Sequence, residues 1–261
     1  MNEEQYDDME LKQVDRQRKV HKRKNYLLRF LIFAAICAGI WFFLNSDYFA
    51  VKEYTVEGNS YYTGDEILSM AKARPGNNII FHSGIPEIRE RLEADPYFRE
   101  VSVKRKLPDK IVISVVERPQ VAGVIYGENY VIIDDEGVVL RRTDVDPELT
   151  LLTGLTISKM NLGEKIECEE ADTLSMTLRM LASMREGDIF FKQIDVSDVL
   201  IHAYIYDSLI VKGTPGEMMK SIDGGELQKV VNRLFEEGIS RGTIKMGGED
   251  YMSFTPEIET D

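Results

Sequence analysis

The run FLIFAAICAGIWFFL, Phe30–Leu44, constrains this chain more than any other stretch. It contains no charged residue, and extending it back through Tyr26, Leu27, Leu28 and Arg29 gives 19 positions. At about 1.5 Å per residue, a helix of that length nearly spans a hydrocarbon core of about 30 Å. Arg29 lies near one end, where it can snorkel toward headgroups. Tyr26 at one edge, and Trp41, Tyr48 and Phe49 at the other, resemble interfacial anchors. A soluble surface helix needs a polar face, and this segment has none. The expectation is one transmembrane helix over residues 26–45, preceded by a basic tail, residues 1–25.

Charge sets the direction of the span. Seven basic residues with no acid among them precede the uncharged core: Arg16, Arg18, Lys19, Lys22, Arg23, Lys24 and Arg29. Residues 45–60 contain one, Lys52. The positive-inside rule therefore predicts a cytoplasmic N-terminus with the bulk of the chain outside. A cleaved signal peptide has a shorter apolar core followed by an A-x-A site, neither of which is seen here. Residues 1–44 hold eight Lys/Arg and six Asp/Glu, so the remaining chain holds 24 against 39. That outer part carries −15, which argues against nucleic acid as a partner. The two cysteines, Cys37 in the span and Cys168 far outside it, have no route to each other, so packing must stabilise the outer part.

Beyond the span, Phe49 and Val51 and then Tyr54 and Val56 alternate with a phase slip between them, as in a strand bent by a bulge. Gly58-Asn59 supplies a turn, and Thr63-Gly64-Asp65-Glu66 is a T-x-x-E capping box opening a helix to about Ala73. A second short helix carries Ile85, Ile88 and Leu92 behind a first-turn Pro86. Val101 and Val103, then Ile111, Ile113 and Val115, read as two antiparallel strands joined across Leu107-Pro108-Asp109. The order β-α-α-β-β implies two helices on one face of a three-stranded sheet. After Glu117-Arg118-Pro119, hairpins are predicted over YVIIDDEGVVL and LIHAYIYDSLIVKG, with helices from about Ala171 to Glu186 and Glu226 to Glu237. Strands over Thr243–Met246 and Tyr251–Thr255 close the pattern, with Gly247-Gly248-Glu249-Asp250 between them and an acidic tail, residues 256–261.

The chemical inventory is thin. His21 falls in the cytoplasmic tail, His82 and His202 are the histidines beyond the span, and neither of these two lies in a metal-binding or catalytic motif. Paired carboxylates can hydrolyse glycans. Glu167, Glu169, Glu170 and Asp172, however, precede a helix, where negative charge complements its dipole, and Asp134, Asp135 and Glu136 occupy a hairpin turn. No catalytic residue, cofactor or metal is assigned. The last strand, Tyr251-Met252-Ser253-Phe254, is followed by Pro256, which suits a sheet edge. Free N–H and C=O groups there can accept a strand from another protein, or can be solvated or covered.

Several of these pieces recur together in one family. The basic tail, the single span, the GN turn with its T-x-x-E helix, IPEIRERLEADPYFREVSVKRKLPDKIVISVVERPQVA and YVIIDDEGVVL resemble the bacterial division family FtsQ, called DivIB in Gram-positive bacteria. The resemblance is strongest over Phe49–Leu140. It implies an α+β chain: one transmembrane helix, an extracytoplasmic POTRA domain over residues 46–118, and a second mixed α/β domain with a mainly antiparallel sheet over residues 119–255. It further implies a non-enzymatic scaffold at the division septum that binds FtsL and DivIC (FtsB) and through them influences septal peptidoglycan synthesis. In that family the partner adds as a strand near the C-terminal end, which by position points to Tyr251, Met252, Ser253 and Phe254. The alternatives are a membrane-anchored POTRA assembly or secretion factor, against which the missing C-terminal barrel pattern counts, and a wall hydrolase using the clustered acids.

Overall fold

The computed structural model describes residues 26–184, 188–247 and 251–257. The basic tail, the predicted turn at Gly248-Glu249-Asp250, the expected helix end at residues 185–186 and the last part of the expected acidic tail, residues 258–261, lie outside the described residues. Helix α1, Tyr26–Leu44, is long and apolar enough to cross a membrane. Its last turn is closed by its neighbours: Asn45 Nδ2 donates to the Trp41 carbonyl at 2.9 Å and Ser46 Oγ to the Phe43 carbonyl at 2.7 Å.

The chain then enters a three-stranded sheet of order β1-β3-β2, formed by β1 (Glu53–Glu57), β2 (Phe98–Lys106) and β3 (Lys110–Glu117). β1 runs parallel to β3, and β2 pairs antiparallel with it. Helices α2 (Gly64–Ala71) and α3 (Ile85–Glu93) pack Ile67, Ala71, Ile88 and Leu92 against Val103, Ile111, Ile113 and Val115. The expected bulge between Val51 and Tyr54 is instead a change of partner. Phe49 ends a 3-10 turn, and the backbone around it bonds to residues 76–79: the Val51 N–H donates to the Asn77 carbonyl and the Ile79 N–H to the Phe49 carbonyl. Only from Glu53 does the chain join β3, so the slip marks where one neighbour replaces the other.

A nine-stranded sheet follows, of order β14-β13-β12-β11-β10-β7-β4-β5-β6. Its strands are β4 (Ala122–Tyr126), β5 (Asn129–Ile133), β6 (Val139–Thr143), β7 (Thr150–Thr153), β10 (Gln193–Asp195), β11 (Ile201–Tyr204), β12 (Leu209–Gly213), β13 (Gly242–Gly247) and β14 (Tyr251–Pro256). Pairing is mostly antiparallel, with parallel neighbours at β4/β7, β7/β10 and β12/β13. A two-stranded ribbon, β8 (Ile157–Lys159) and β9 (Glu167–Cys168), precedes α4 (Ala171–Ser183). Helices α4, α5 (Pro215–Asp223) and α6 (Glu226–Glu236) cover one face, burying Leu174, Leu178, Met218, Ile222, Leu227 and Val231 against alternate strand residues such as Ile194, Ala203, Val211 and Ile244. The other face of β11–β14 is half-exposed, as expected of a mainly antiparallel sheet covered on one side.

Two capping boxes set where helices begin. The Glu66 carboxylate accepts from the Thr63 N–H at 2.8 Å, while Thr63 Oγ1 accepts from the Glu66 N–H at 3.3 Å. Glu217 and Thr214 repeat this at α5, at 2.9 and 3.3 Å. The backbone N–H and then the threonine hydroxyl hold both carboxyls below the ordinary value of 4.5. A lowered folded-state pKa contributes stability that is complete above the unfolded value and is lost as pH falls through the folded one. The urea midpoint is therefore expected to decline once pH drops below about 4.5. A Glu66→Gln/Glu217→Gln variant, which still accepts but does not titrate, should decline less steeply; identical pH profiles would remove the boxes from the account.

Candidate partner-binding edge

β14 is the last strand of the large sheet and, among the described residues, has one strand neighbour, β13. The pairing is antiparallel and regular from Gly242↔Pro256 to Gly247↔Tyr251. One row of its backbone N–H and C=O groups thus faces away from the sheet. Side chains alternate across it. Met252 and Phe254 turn inward and pack against the helix-covered core, with Ser221 Oγ 3.7 Å from the Met252 sulfur. Tyr251, Ser253 and Thr255 belong to the opposite face, with Gly247, Lys245 and Thr243 as cross-strand partners. Tyr251 is 67% exposed. Of the four residues selected from the sequence, Tyr251 and Ser253 are therefore the ones whose side chains are offered on the open face. Met252 and Phe254 hold the strand in place. Thr255 shares the open face with them.

The strand sits against a close approach at Gly242. A Cβ there would lie 2.6 Å from the Thr255 carbonyl oxygen and 2.7 Å from the Phe254 ring, and its φ of +140° is one that side-chain-bearing residues rarely adopt. The absence of a side chain lets β13 and β14 pair to their ends.

The acidic hairpin proves to be a junction between the two sheets. Asp134 is fully buried. One carboxylate oxygen accepts from the Glu136 and Val138 N–H groups at 2.9 and 2.8 Å; the other accepts from Arg118 at 2.6 Å. Arg99 of β2 lies 3.7 Å from Asp134 and bonds Asp135, and Arg118 also reaches Glu136 at 2.9 Å. The Arg118 hydrogen bond, against a smaller opposing effect of burial, holds the Glu136 carboxyl below the usual range. Glu117, next in sequence, turns the other way and accepts from the Ser60 and Tyr62 N–H groups at 2.8 and 3.2 Å and from the Tyr61 N–H. Tyr61 stacks on Tyr97 at 4.6 Å, and Tyr97 is buried with Ile132 and Leu140 of the large sheet. The motif Val-Val-Glu-Arg-Pro thus ties the GN loop to the IDDEG hairpin.

The second acidic cluster is also structural. The Glu170 carboxylate accepts from the Thr156 N–H and Oγ1, both at 2.8 Å, pinning the β8–β9 ribbon to the start of α4. Those bonds, the backbone one first, hold its pKa down. Cys168 is half-buried, and burial followed by the nearby Glu170 charge pushes its thiol up, away from the reactive thiolate. Among the described residues no group of three or more His, Cys, Asp or Glu is placed to hold a metal ion.

Comparison with known proteins agrees with the topology. The family model described as a POTRA domain, FtsQ-type, matches residues 49–118. The chain is 31% identical to the cell division protein DivIB of Clostridium acetobutylicum over 191 residues, covering 72% of this chain and 76% of that one. It is 25% identical to DivIB of Clostridium tetani over 260 residues, or 94% and 95% of the two chains. Against the cell division protein FtsQ of Syntrophotalea carbinolica the identity is 29% over 171 residues, 65% of this chain and 58% of the relative.

Proposed function

This chain belongs to the DivIB/FtsQ family of cell division proteins, and from that premise we propose that it is a non-enzymatic septal scaffold that binds FtsL and DivIC (FtsB) by accepting a strand along β14. The observation that carries the reading is the unpaired edge of β14, long, regular and at the end of the sheet. Strand addition needs such a row of free backbone groups, and alternate side chains then set selectivity. Tyr251 supplies an amphipathic anchor, and Ser253 and Thr255 add hydrogen-bonding capacity on the same face.

In this reading α1 anchors the protein with its N-terminus in the cytoplasm, a POTRA domain spans residues 46–118, and residues 119–255 form the partner-binding domain. The buried and hydrogen-bonded placement of Asp134 and the hydrogen bonds that engage the Glu170 carboxylate with Thr156 favour a scaffold over an acid-dependent hydrolase. Binding both partners would place the protein upstream of septal peptidoglycan synthesis. A fluorescent fusion to the N-terminus is expected to concentrate at the septum of dividing cells, and a Tyr251→Ala variant to bind detergent-solubilised partners about tenfold more weakly. A fusion spread evenly over the membrane throughout division would refute the division-site role.

A further inference from the structure

Beside the foot of α1 the small sheet carries a cleft of about 780 Å³, within the range of small-molecule sites, about 300–1,000 Å³. Four cationic side chains line it, Lys72, Arg74, Arg91 and Arg105, against one carboxylate, Glu87. This is a concentrated positive site in an outer chain that carries −15. None of the four cations makes an ion pair among the described residues. Arg91 donates to the Ala71 carbonyl at 3.0 Å and Arg105 to Ser83 Oγ at 3.0 Å, which aims both along the wall. Nearby at the same end of the sheet, Lys52 pairs with Asp109 at 3.3 Å and Lys110 with Glu53 at 2.6 Å, so charges there are neutralised where acids are at hand. The N-terminus of α3 opens into the cleft with Gly84 as its cap and no side-chain hydrogen bond to its first turn. Pro86 in that first turn has no N–H, so Ile85 and Glu87 carry the N–H groups that add to the positive field.

Position selects the ligand. Asn78, in the loop below the cleft, donates from Nδ2 to the Leu44 carbonyl at the end of α1, at 2.7 Å. Tyr54, which lines the cleft, bonds the Arg74 carbonyl at 3.1 Å, so the wall is fastened to the same sheet that α1 feeds. Phe81 stands at the rim, 46% exposed, as an apolar neighbour for an acyl chain. We propose that the cleft holds the phosphate headgroup of an anionic phospholipid from the leaflet next to the end of α1. The proposal rests on α1 being a membrane span and is independent of partner binding at β14.

The test uses the full chain, released in an uncharged detergent with equimolar phosphatidylglycerol and phosphatidylcholine, and native mass spectrometry to count retained lipids. Retention of phosphatidylglycerol over phosphatidylcholine by at least tenfold is expected. Each lysine or arginine near an anionic surface is worth about fivefold, so Lys72→Gln/Arg74→Gln/Arg105→Gln should weaken retention roughly hundredfold. A control with the same charge change elsewhere, Lys159→Gln/Lys192→Gln/Lys229→Gln, should retain lipid as the wild type does. Parity between the two lipids, or equal loss in both triple variants, would overturn the proposal. Displacement of the lipid by an equal concentration of inorganic phosphate would make this a free-phosphate site and overturn the lipid assignment. Alkaline extraction of membranes tests the span separately: release of the chain would overturn the anchor and the proposal with it, whereas lipid parity in a chain that stays in the membrane overturns the proposal alone.

Discussion

Removing Tyr251–Pro256 from the full chain is expected to lower its affinity for FtsL and DivIC by at least about a hundredfold. A strand added to β14 would exchange backbone hydrogen bonds with an edge six residues long. Each such bond is worth about 1 kcal/mol net, so losing three or four removes about 3–4 kcal/mol, more than the roughly 2.7 kcal/mol of a hundredfold change. The Tyr251→Ala variant keeps the backbone row, and its milder effect separates main-chain pairing from side-chain anchoring. Because Met252 and Phe254 also pack inward, the deletion must be shown by circular dichroism and melting to retain its fold. Undiminished binding by a folded deletion variant would place the partner surface elsewhere.

Asp134→Ala is expected to destabilise the protein by about 3–5 kcal/mol, the usual result of breaking a buried charge cluster by removing one partner. The carboxylate is fully buried, and its loss would orphan two backbone N–H groups and leave Arg118, whose own side chain is mostly buried, with Glu136 alone of its two carboxylate partners. The shift would be read as a lower urea midpoint. Arg118→Ala should cost a similar amount, and the double variant less than the sum, since both act on one network. Additive losses would mean that the two residues stabilise the fold independently.

The order of elements in the first sheet was legible because each signal there is local. A T-x-x-E box, a first-turn proline and two alternating strands each declare themselves within a few residues. Helix α5 shows the limit of that approach. Thr214-Pro215-Gly216-Glu217 is the same box as Thr63-Gly64-Asp65-Glu66, but Pro-Gly reads as a turn, which masks the helix start. Proline is tolerated at that position because its missing N–H would have had no partner there anyway. The parallel neighbours β12 and β13 were equally hidden, since α5 and α6 lie between them and adjacent hairpins are the simpler reading.

At the candidate edge, sequence located the strand and structure supplied the facing. Alternation alone would have sorted Tyr251 and Ser253 from Met252 and Phe254, but which set looked inward depended on helices packed from elsewhere in the chain. The junction was less accessible still. GN, Glu117-Arg118-Pro119 and Asp134-Asp135-Glu136 stood out as separate marks along the sequence. Their meaning is mutual contact across 16 to 57 residues, and no local period records such contacts.

The hydrogen bond from Asn78 to Leu44 has a mechanical corollary. With Ser46 and Asn45 closing the last turn, and Phe43, Tyr48 and Phe49 packed ring against ring across the joint, the junction of α1 with the small sheet is fastened by contacts on both of its sides. A helix that tilts by about 20° to match bilayer thickness would carry the small sheet with it, and the Asp134 cluster would relay the turn to the large sheet. If α1 spans a bilayer as proposed, the height of the β14 edge above the lipid surface would then vary with the thickness of the membrane.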